Sequence, residues 1–316
     1  MIQLSTVLTP MSDENLTLAA QCGVTGVVAR YSGTNLDDLL EERDRIESFG
    51  MKLIAVEGYL PIERIKVGRD DGSNMADMKT LLKNMQRAGI SYLCYNFMAG
   101  TDWVRTQLDA SERAGAKVTA FRLADVERAM SLSANASTID AEKISAESLW
   151  KNLTAFLREI IPVAEETGVT MCMHPDDPPL PELMGKARIM NSVENFERLV
   201  DLVPSPCNAI CFCQGTFATM GVDIPQSIRR LGKHIRYVHF RDVRGTPEAF
   251  VETFHDNGAT DMAAAMRAYR EIGFNGPIRP DHVPQLVGED DGEPGYTMLG
   301  RLFAYGYIRA LIQATE

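Results

Sequence analysis

Short apolar runs rich in β-branched residues alternate along the chain with longer stretches in which apolar residues recur at helical spacing. The short runs predict β-strands. Most of them follow a glycine such as Gly50, Gly89 or Gly168, the residue type that commonly stands just past a helix C-terminus. Eight strands are predicted in this way: Gln3–Leu8, Val24–Arg30, Lys52–Tyr59, Ser91–Met98, Val169–His174, Ala209–Cys213, Arg236–Phe240 and Pro277–Asp281.

The longer stretches predict helices, and Ser192 provides an N-cap hydroxyl at the start of one of them. The predicted helices are Leu36–Phe49, Leu149–Glu166, Ser192–Leu202, Thr260–Ile272 and Thr297–Ile312. Eight strand-then-helix units favour a parallel barrel, and no GxGxxG turn follows the first strand as a doubly wound dinucleotide fold would require. The sequence therefore predicts one α/β domain over residues 1–316, a (β/α)8 TIM barrel.

A polar segment, about residues 102–148, interrupts the alternation between the fourth strand and its helix. Long insertions in barrels usually lie over the catalytic face, so we expect an insertion that acts as a lid. A disordered surface loop is the alternative for its middle part.

The length and net charge of the chain limit the classes of function that are compatible with it. A chain of 316 residues fits one barrel, which commonly runs to ~250 residues or more. The net charge of −11 argues against nucleic-acid binding, which needs clustered Lys and Arg, but it is compatible with an anionic small substrate. No leader pattern and no run of ~18 apolar residues is present, so we expect no membrane span. The spacing of the six cysteines does not match that of a disulfide framework. This favours a location in the reducing cytoplasm.

Four residues of metal-binding type stand at the ends of four successive predicted strands: His174, Cys213, His239 and Asp281. The carboxyl ends of barrel strands converge on one rim, so these side chains are expected to meet there. Two imidazoles, a thiolate and a carboxylate suit Mn²⁺, Fe²⁺, Co²⁺ or Zn²⁺ better than Mg²⁺ or Ca²⁺. Taken singly, a strand histidine is more often a hydrogen-bonded core residue and a strand cysteine a small buried hydrophobe.

Polar side chains beside these strand ends are candidates for substrate binding. Asp176 and Asp177 follow His174 in a proline-stiffened loop, where they are able to orient ligand imidazoles or accept substrate hydroxyls; a plain Pro-Asp turn is the alternative. Arg279 is expected to pair with a substrate carboxylate. Arg241 is a second anion clamp, unless it forms a surface pair with the aspartate that follows it.

His282 follows a predicted ligand and titrates near neutrality, so it is a candidate general acid or base; a surface histidine is the alternative. His234 and His255 are assigned no role. Cys172 and Cys211 lie on the same strands as predicted ligands, one layer deeper, and are assigned to the core.

Several short motifs, in order along nearly the whole chain, resemble those of the mannonate dehydratase family. They are Gly23–Val28, Cys94–Met98 with Asp102 and Trp103, Cys172–Pro179, Phe212–Gly215, Val238–Arg241, Arg279–His282 and Pro294–Thr297. The His-Pro-Asp-Asp-Pro-Pro string, taken with the cysteine and the second histidine, is the most specific. The chain departs from the family pattern at Val283, where a glycine is expected, at Asp242, where an asparagine is common, and in Glu57–Pro61.

The resemblance implies a xylose-isomerase-like barrel and a hydro-lyase that converts D-mannonate, a sugar acid, into 2-keto-3-deoxy-D-gluconate in hexuronate catabolism. It assigns a metal, usually Mn²⁺ with Fe²⁺ or Co²⁺ as alternatives, to His174, Cys213, His239 and Asp281. It assigns acid–base catalysis to His282 and Tyr296. Asn96, within one of the motifs, joins the substrate-binding candidates, and we expect a homo-oligomer of two or more subunits.

The residues fit this chemistry. Dehydrating a 2,3-dihydroxy acid requires a base for the C2 proton, an acid for the departing C3 hydroxyl, and stabilisation of the charge that develops beside the carboxylate. His282 and Tyr296 are expected to divide the two proton transfers, in either order. One alternative is a metal-dependent sugar isomerase or epimerase on the same barrel, against which Cys213 argues. The other is a non-catalytic barrel that binds a metal or a sugar.

Overall fold

The computed structural model describes residues 1–131 and 143–316. Its barrel strands are β1 (Gln3–Thr6), β2 (Gly26–Arg30), β3 (Lys52–Glu57), β4 (Tyr92–Tyr95), β5 (Thr170–Met173), β6 (Asn208–Cys213), β7 (Ile235–Phe240) and β8 (Pro277–Pro280). The strands pair in parallel and close in the order β1-β8-β7-β6-β5-β4-β3-β2. All eight predicted strands are present with slightly different ends, so the predicted (β/α)8 barrel is confirmed.

Helices surround the barrel: α1 (Asp13–Gln21), α2 (Leu36–Ser48), α3 (Glu63–Lys66), α4 (Ser73–Ala88), α5 (Ala146–Thr167), α6 (Val193–Leu202), α7 (Gln214–Thr219), α8 (Ile224–Leu231), α9 (Met262–Glu271) and α10 (Met298–Ala314). The five predicted helices correspond to α2, α5, α6, α9 and α10. Ser192 caps α6 as predicted, because its hydroxyl accepts a hydrogen bond from the Asn195 amide at 3.2 Å. Gly89 and Gly168 end α4 and α5 with φ of 74° and 71°, which a Cβ would disfavour.

Two apolar layers hold this architecture together. The larger layer lies between the strands and the helices. The smaller one, which we call the inner barrel core, fills the barrel and consists of Val7, Val28, Ile54, Ala55, Cys94, Cys172, Ala209, Cys211 and Tyr237. Cys172 and Cys211 are fully buried there, as predicted for core residues. The three thiols in this layer are free.

Within the described residues, most strands outside the barrel come from two excursions. Val104–Arg105, Gln107–Ser111, Lys117–Arg122 and Met130–Ser131 lie between β4 and α5, and a hairpin of Val243–Thr246 and Ala249–Glu252 follows β7. The hairpin joins Lys117–Arg122 and Gln107–Ser111 in a four-stranded antiparallel sheet. Residues 132–142 of the predicted insertion lie outside the described residues, and its action as a lid stays a prediction.

The remaining short elements are the strand pair Glu182–Leu183 and Lys186–Ala187 and the 3₁₀ turns Arg113–Gly115, Leu123–Arg128 and Gly232–His234. In the described ranges, no helix combines the length and apolar character needed to cross a membrane.

Candidate active site

The four predicted metal ligands meet at the carboxyl-end rim of the barrel. One donor atom from each of His174, Cys213, His239 and Asp281 lies within 4.8 Å of the others, and all four side chains are buried. Strand register explains part of this convergence, because Cys213 on β6 is the direct partner of His239 on β7. We call these four residues the rim donor set.

The hydrogen bonds of the two histidines in the rim donor set leave ring nitrogens available to bind a cation. The Nδ1–H of His174 donates to the Pro175 carbonyl oxygen at 2.7 Å, so the neutral form of the imidazole carries its lone pair on Nε2. Among the described residues, the buried Nε2 of His239 makes no hydrogen bond, although it lies 3.3 Å from the Glu57 carboxylate. Buried nitrogens without partners are rare and fit a site for a cation.

Neighbouring cations favour the anionic forms of the other two donors. Burial alone raises the pKa of Cys213, but Arg241 and His174 outweigh it and hold the pKa of the thiol well below its ordinary value. The Thr216 hydroxyl also donates to its Sγ at 3.1 Å. Burial likewise raises the pKa of Asp281, but the neighbouring groups His282 and Arg279 lead those that outweigh it and hold the pKa well below the usual range. A thiolate and a carboxylate are the forms that bind metals.

A cavity lies over the rim donor set. It is lined by Arg30, Glu57, Gly58, Tyr59, Cys94, Tyr95, Trp103, His174, His239, Arg279, Asp281, His282 and Tyr296. The rings of His282 and Tyr296 meet edge to face with centroids 5.3 Å apart. The predicted acid–base pair therefore shares one cavity with three members of the rim donor set.

Glu252, which ends the hairpin after β7, orients His282. The Nδ1–H of His282 donates to Glu252 Oε1 at 2.6 Å, so the neutral form of the imidazole carries its lone pair on Nε2. Arg105 and Arg241 donate to the same oxygen at 2.7 and 3.0 Å. Burial raises the pKa of Glu252, but His282 and the two arginines outweigh it and hold the pKa far below the usual range. A permanent carboxylate thus fixes the imidazole.

The predicted substrate-binding residues divide into two groups. Arg279 lines the cavity, but its guanidinium donates to the Tyr237 hydroxyl at 2.8 Å, to Glu57 at 2.8 Å and to Asp281 at 3.0 Å. The others are buried and are not among the residues that line the cavity: Arg241, Asp176, Asp177 and Asn96.

These buried residues bind other protein groups. Asp177 accepts hydrogen bonds from Arg105 and Arg241 at 2.9 and 2.8 Å. Asp176 accepts from the Met190 amide at 2.7 Å, and the Asn96 side chain accepts from Lys66 at 3.0 Å. Their direct contact with a substrate stays a prediction.

The family model for D-mannonate dehydratase (UxuA) matches residues 10–316. The chain belongs to this family. Mannonate dehydratase 2 of Halalkalibacterium halodurans is 34% identical to it over 303 residues, which cover 89% of this chain and 87% of the relative. The resemblance carried by the short motifs is therefore confirmed.

Solved structures agree with this assignment. The crystal structure of mannonate dehydratase from Streptococcus suis serotype 2 aligns with a TM-score of 0.89 and 30% identity, and covers 100% of this chain and 95% of that one. A xylose isomerase domain protein from Planctomyces limnophilus aligns with a TM-score of 0.61 over 99% and 97% of the two chains. Its 14% identity shows the fold alone, and it confirms the xylose-isomerase-like barrel.

Several residues of the site were not predicted from the sequence. Arg30 and Glu57 end β2 and β3, so the signal that identified Asp281, a charged residue at a strand end, was present for both. Trp103 and Arg105 lie in the insertion, and Glu252 lies in a hairpin that the strand pattern did not reveal. No local pattern connects these three residues to the rim.

The charge cluster beneath the cavity, Asp177 with Arg105, Arg241 and Glu252, is expected to make stability depend on pH. Burial raises the pKa of Asp177, but Arg105 and Arg241 outweigh it and hold the pKa below its ordinary value. A carboxyl with a lowered folded-state pKa stabilises the fold above its unfolded-state pKa of ~3.9 and loses that contribution as the pH falls. Asp177→Asn should therefore reduce the free energy of unfolding at pH 7 by about 3–5 kcal/mol, because it removes a buried carboxylate that pairs with two buried arginines.

Urea denaturation at pH 7 and at pH 3.5 to 4 measures this effect. The difference between wild type and Asp177→Asn should shrink at the lower pH. Asp290→Asn, which removes the exposed partner of Lys117, is the matched control and should change little at either pH. An Asp177→Asn protein as stable as wild type at pH 7 would contradict the assignment.

Proposed function

We propose that this chain dehydrates D-mannonate to 2-keto-3-deoxy-D-gluconate and water. One observation carries the proposal: in a member of the D-mannonate dehydratase family, three members of the rim donor set and the His282–Tyr296 pair line a common cavity. A divalent cation beside an acid–base pair is the arrangement that loss of a C2 proton and a C3 hydroxyl requires.

We assign the rim donor set to Mn²⁺, with Fe²⁺ or Co²⁺ as alternatives. The mixture of imidazole, thiolate and carboxylate suits such ions, and the free Nε2 of His174 and the unpartnered Nε2 of His239 fit coordination. When bound, the ion supplies a Lewis acid that stabilises the negative charge that develops beside the substrate carboxylate as the C2 proton is lost.

His282 and Tyr296 are proposed to divide the proton transfers. Glu252 holds the Nδ1–H of His282, so the other ring nitrogen is the one that takes the C2 proton. Burial raises the pKa of Tyr296 above its ordinary value, partly offset by Arg30, so the phenol keeps its proton at neutral pH. As the C3–O bond breaks, Tyr296 gives that proton to the departing hydroxyl, which leaves as water. The enol left between C2 and C3 then becomes the 2-keto product.

Arg30 is the cavity residue best placed to bind substrate oxygens. In the part of the chain that the structure describes, its Nε has no hydrogen-bond partner and its Nη2 contacts Glu293 at 3.3 Å, whereas the donors of Arg279 are engaged by protein groups. Arg30→Met should raise KM by about 10- to 100-fold, because a charge-assisted hydrogen bond contributes ~1.5–3 kcal/mol. Steady-state kinetics at saturating Mn²⁺ measures the change. Arg64→Met, at an exposed arginine, is the control. An unchanged KM would assign substrate binding elsewhere.

The product formed from D-mannonate tests the proposed function. Chain stripped of metal and supplied with Mn²⁺ should yield 2-keto-3-deoxy-D-gluconate, identified by NMR, and omission of the metal should abolish the reaction. Incubation with free aldoses tests the isomerase and epimerase alternatives. A ketose from an aldose, with no product from D-mannonate, would contradict the proposal.

Four further expectations are proposals of the same kind: a single barrel domain, an insertion that acts as a lid, a homo-oligomer and a cytoplasmic location. The positions of two residues in the insertion support its proposed action as a lid. Trp103 lines the cavity and packs edge-on against His174, and Arg105 binds Glu252.

A further inference from the structure

A second group of metal-binding side chains lies deeper in the barrel. The thiols of Cys94 and Cys211 and the imidazole of His239 each place one donor atom within 4.8 Å of the others. Cys211 precedes Cys213 by two residues on β6, and Cys94 pairs in register with Cys172 on β5, two residues before His174. We call these three residues the inner donor set. It shares His239 with the rim donor set and no other residue.

The inner donor set is reachable from the cavity. Cys94 and His239 both line the cavity, and Cys211 lies fully buried behind them in the inner barrel core. Among the described residues, the Nε2 of His239 makes no hydrogen bond. An ion that enters the cavity therefore meets a cysteine and a histidine of the inner donor set before it meets the second cysteine.

The two sets differ in chemical softness. The inner donor set has two sulfurs and one nitrogen and no oxygen, whereas the rim donor set has one sulfur, two nitrogens and a carboxylate. Thiolates select Zn²⁺, Cu⁺ and related ions, whereas carboxylate suits Mn²⁺. Tetrahedral zinc with bonds of ~2.3 Å to sulfur holds two sulfurs ~3.8 Å apart, so the three donors need to approach by about 1 Å at most.

We propose that Cys94, Cys211 and His239 form a second cation site, selective for thiophilic ions such as Zn²⁺. The site and the rim donor set compete for His239. A thiophilic ion in the inner site therefore withdraws an imidazole from the rim, and Mn²⁺ bound at the rim is released. The inner site thus takes thiophilic ions and the rim takes Mn²⁺. Zinc bound at the inner site opposes the binding of manganese at the rim.

X-ray absorption spectroscopy of the zinc-loaded full-length chain tests the proposal directly, because it counts sulfur ligands. Wild type with less than one equivalent of Zn²⁺ should show two sulfurs per zinc at ~2.3 Å, whereas binding at the rim gives one. Cys213→Ser should keep two sulfurs, and Cys94→Ser should lose one. Cys172→Ser removes a neighbouring inner-core thiol outside both sets and should leave the count at two. One sulfur in wild type and none in Cys213→Ser would overturn the inner site.

Competition between ions provides an independent measurement. Zinc added to the manganese-loaded chain should release Mn²⁺. The release is measured from the electron paramagnetic resonance signal of free Mn²⁺ in solution. Cys94→Ser should raise the zinc concentration needed by at least ~10-fold, the smallest effect usual for loss of a group that supports a metal site. An unchanged concentration would overturn the proposal. If Mn²⁺ fails to support dehydration, the proposed function is contradicted instead. The number of sulfur ligands per zinc would not change, so the two failures are distinguishable.

Discussion

Cys213→Ala is expected to lower kcat/KM for D-mannonate at least ~10³-fold, because charge stabilisation by a metal contributes several kcal/mol and each ~1.36 kcal/mol corresponds to a factor of ten. Cys213 is fully buried, and Arg241 and His174 hold the pKa of its thiol well below the ordinary value, although burial alone would raise it. Removing this thiolate leaves the rim with two neutral donors and one carboxylate. The affinity for manganese should fall with the activity.

Two measurements check this expectation. Manganese content after dialysis should be lower in Cys213→Ala than in wild type, and kcat/KM should recover only in part at high Mn²⁺ concentration. Cys172→Ala removes a thiol of the inner barrel core that belongs to neither donor set, and it should keep the wild-type manganese content. A Cys213→Ala protein with full manganese content and full activity would exclude Cys213 as a ligand.

His282→Gln is expected to reduce kcat by about 10²–10⁴-fold, the usual contribution of a positioned general acid or base. Glutamine keeps an amide donor for Glu252, which now accepts from His282 at 2.6 Å, so the cluster beneath the cavity keeps its hydrogen bond. Because His282 is outside the rim donor set, manganese content should not change. His234→Gln, at a half-exposed histidine away from the cavity, is the matched control.

Exchange of the C2 proton in deuterated water separates the two proposed roles. If His282 is the base, His282→Gln should lose the exchange together with turnover. Tyr296→Phe should lose turnover but retain exchange, because it lacks only the acid for the departing hydroxyl. The reverse pattern would exchange the roles of the two residues, and normal turnover in both variants would remove them from the mechanism.

The parts of the fold that depend on the local pattern of apolar residues could be predicted from the sequence. The interior strands of a parallel barrel are buried on both faces and therefore appear in the sequence as short continuous apolar runs. That pattern located all eight barrel strands, and their alternation with helices predicted closure. The rim donor set followed from the same reasoning, because residues such as His174 and Asp281 stand where barrel strands end.

Pairings between distant segments were not predictable. Arg279 was recognisable as a cation near the rim, but its engagement by Glu57 and Tyr237 depends on β3 and β7 lying near β8. Glu252 belongs to a hairpin whose partner strand, Lys117–Arg122, is in the insertion more than a hundred residues earlier. Local propensity carries no information about such partners, so Glu252 was not predicted as the hydrogen-bond partner of His282, although His282 itself was a predicted candidate.

The position of Arg105 has a consequence for attempts to shorten this enzyme. A trimmed scaffold that replaces residues 104–131 with a tight turn would keep every barrel strand and all four rim donors. It would also remove the guanidinium that bridges Asp177 and Glu252 at 2.9 and 2.7 Å, and leave two carboxylates in a dry interior to share Arg241. The excursion is thus expected to be a structural prerequisite of the proposed catalytic imidazole, and minimisation by loop deletion should reduce both stability and turnover.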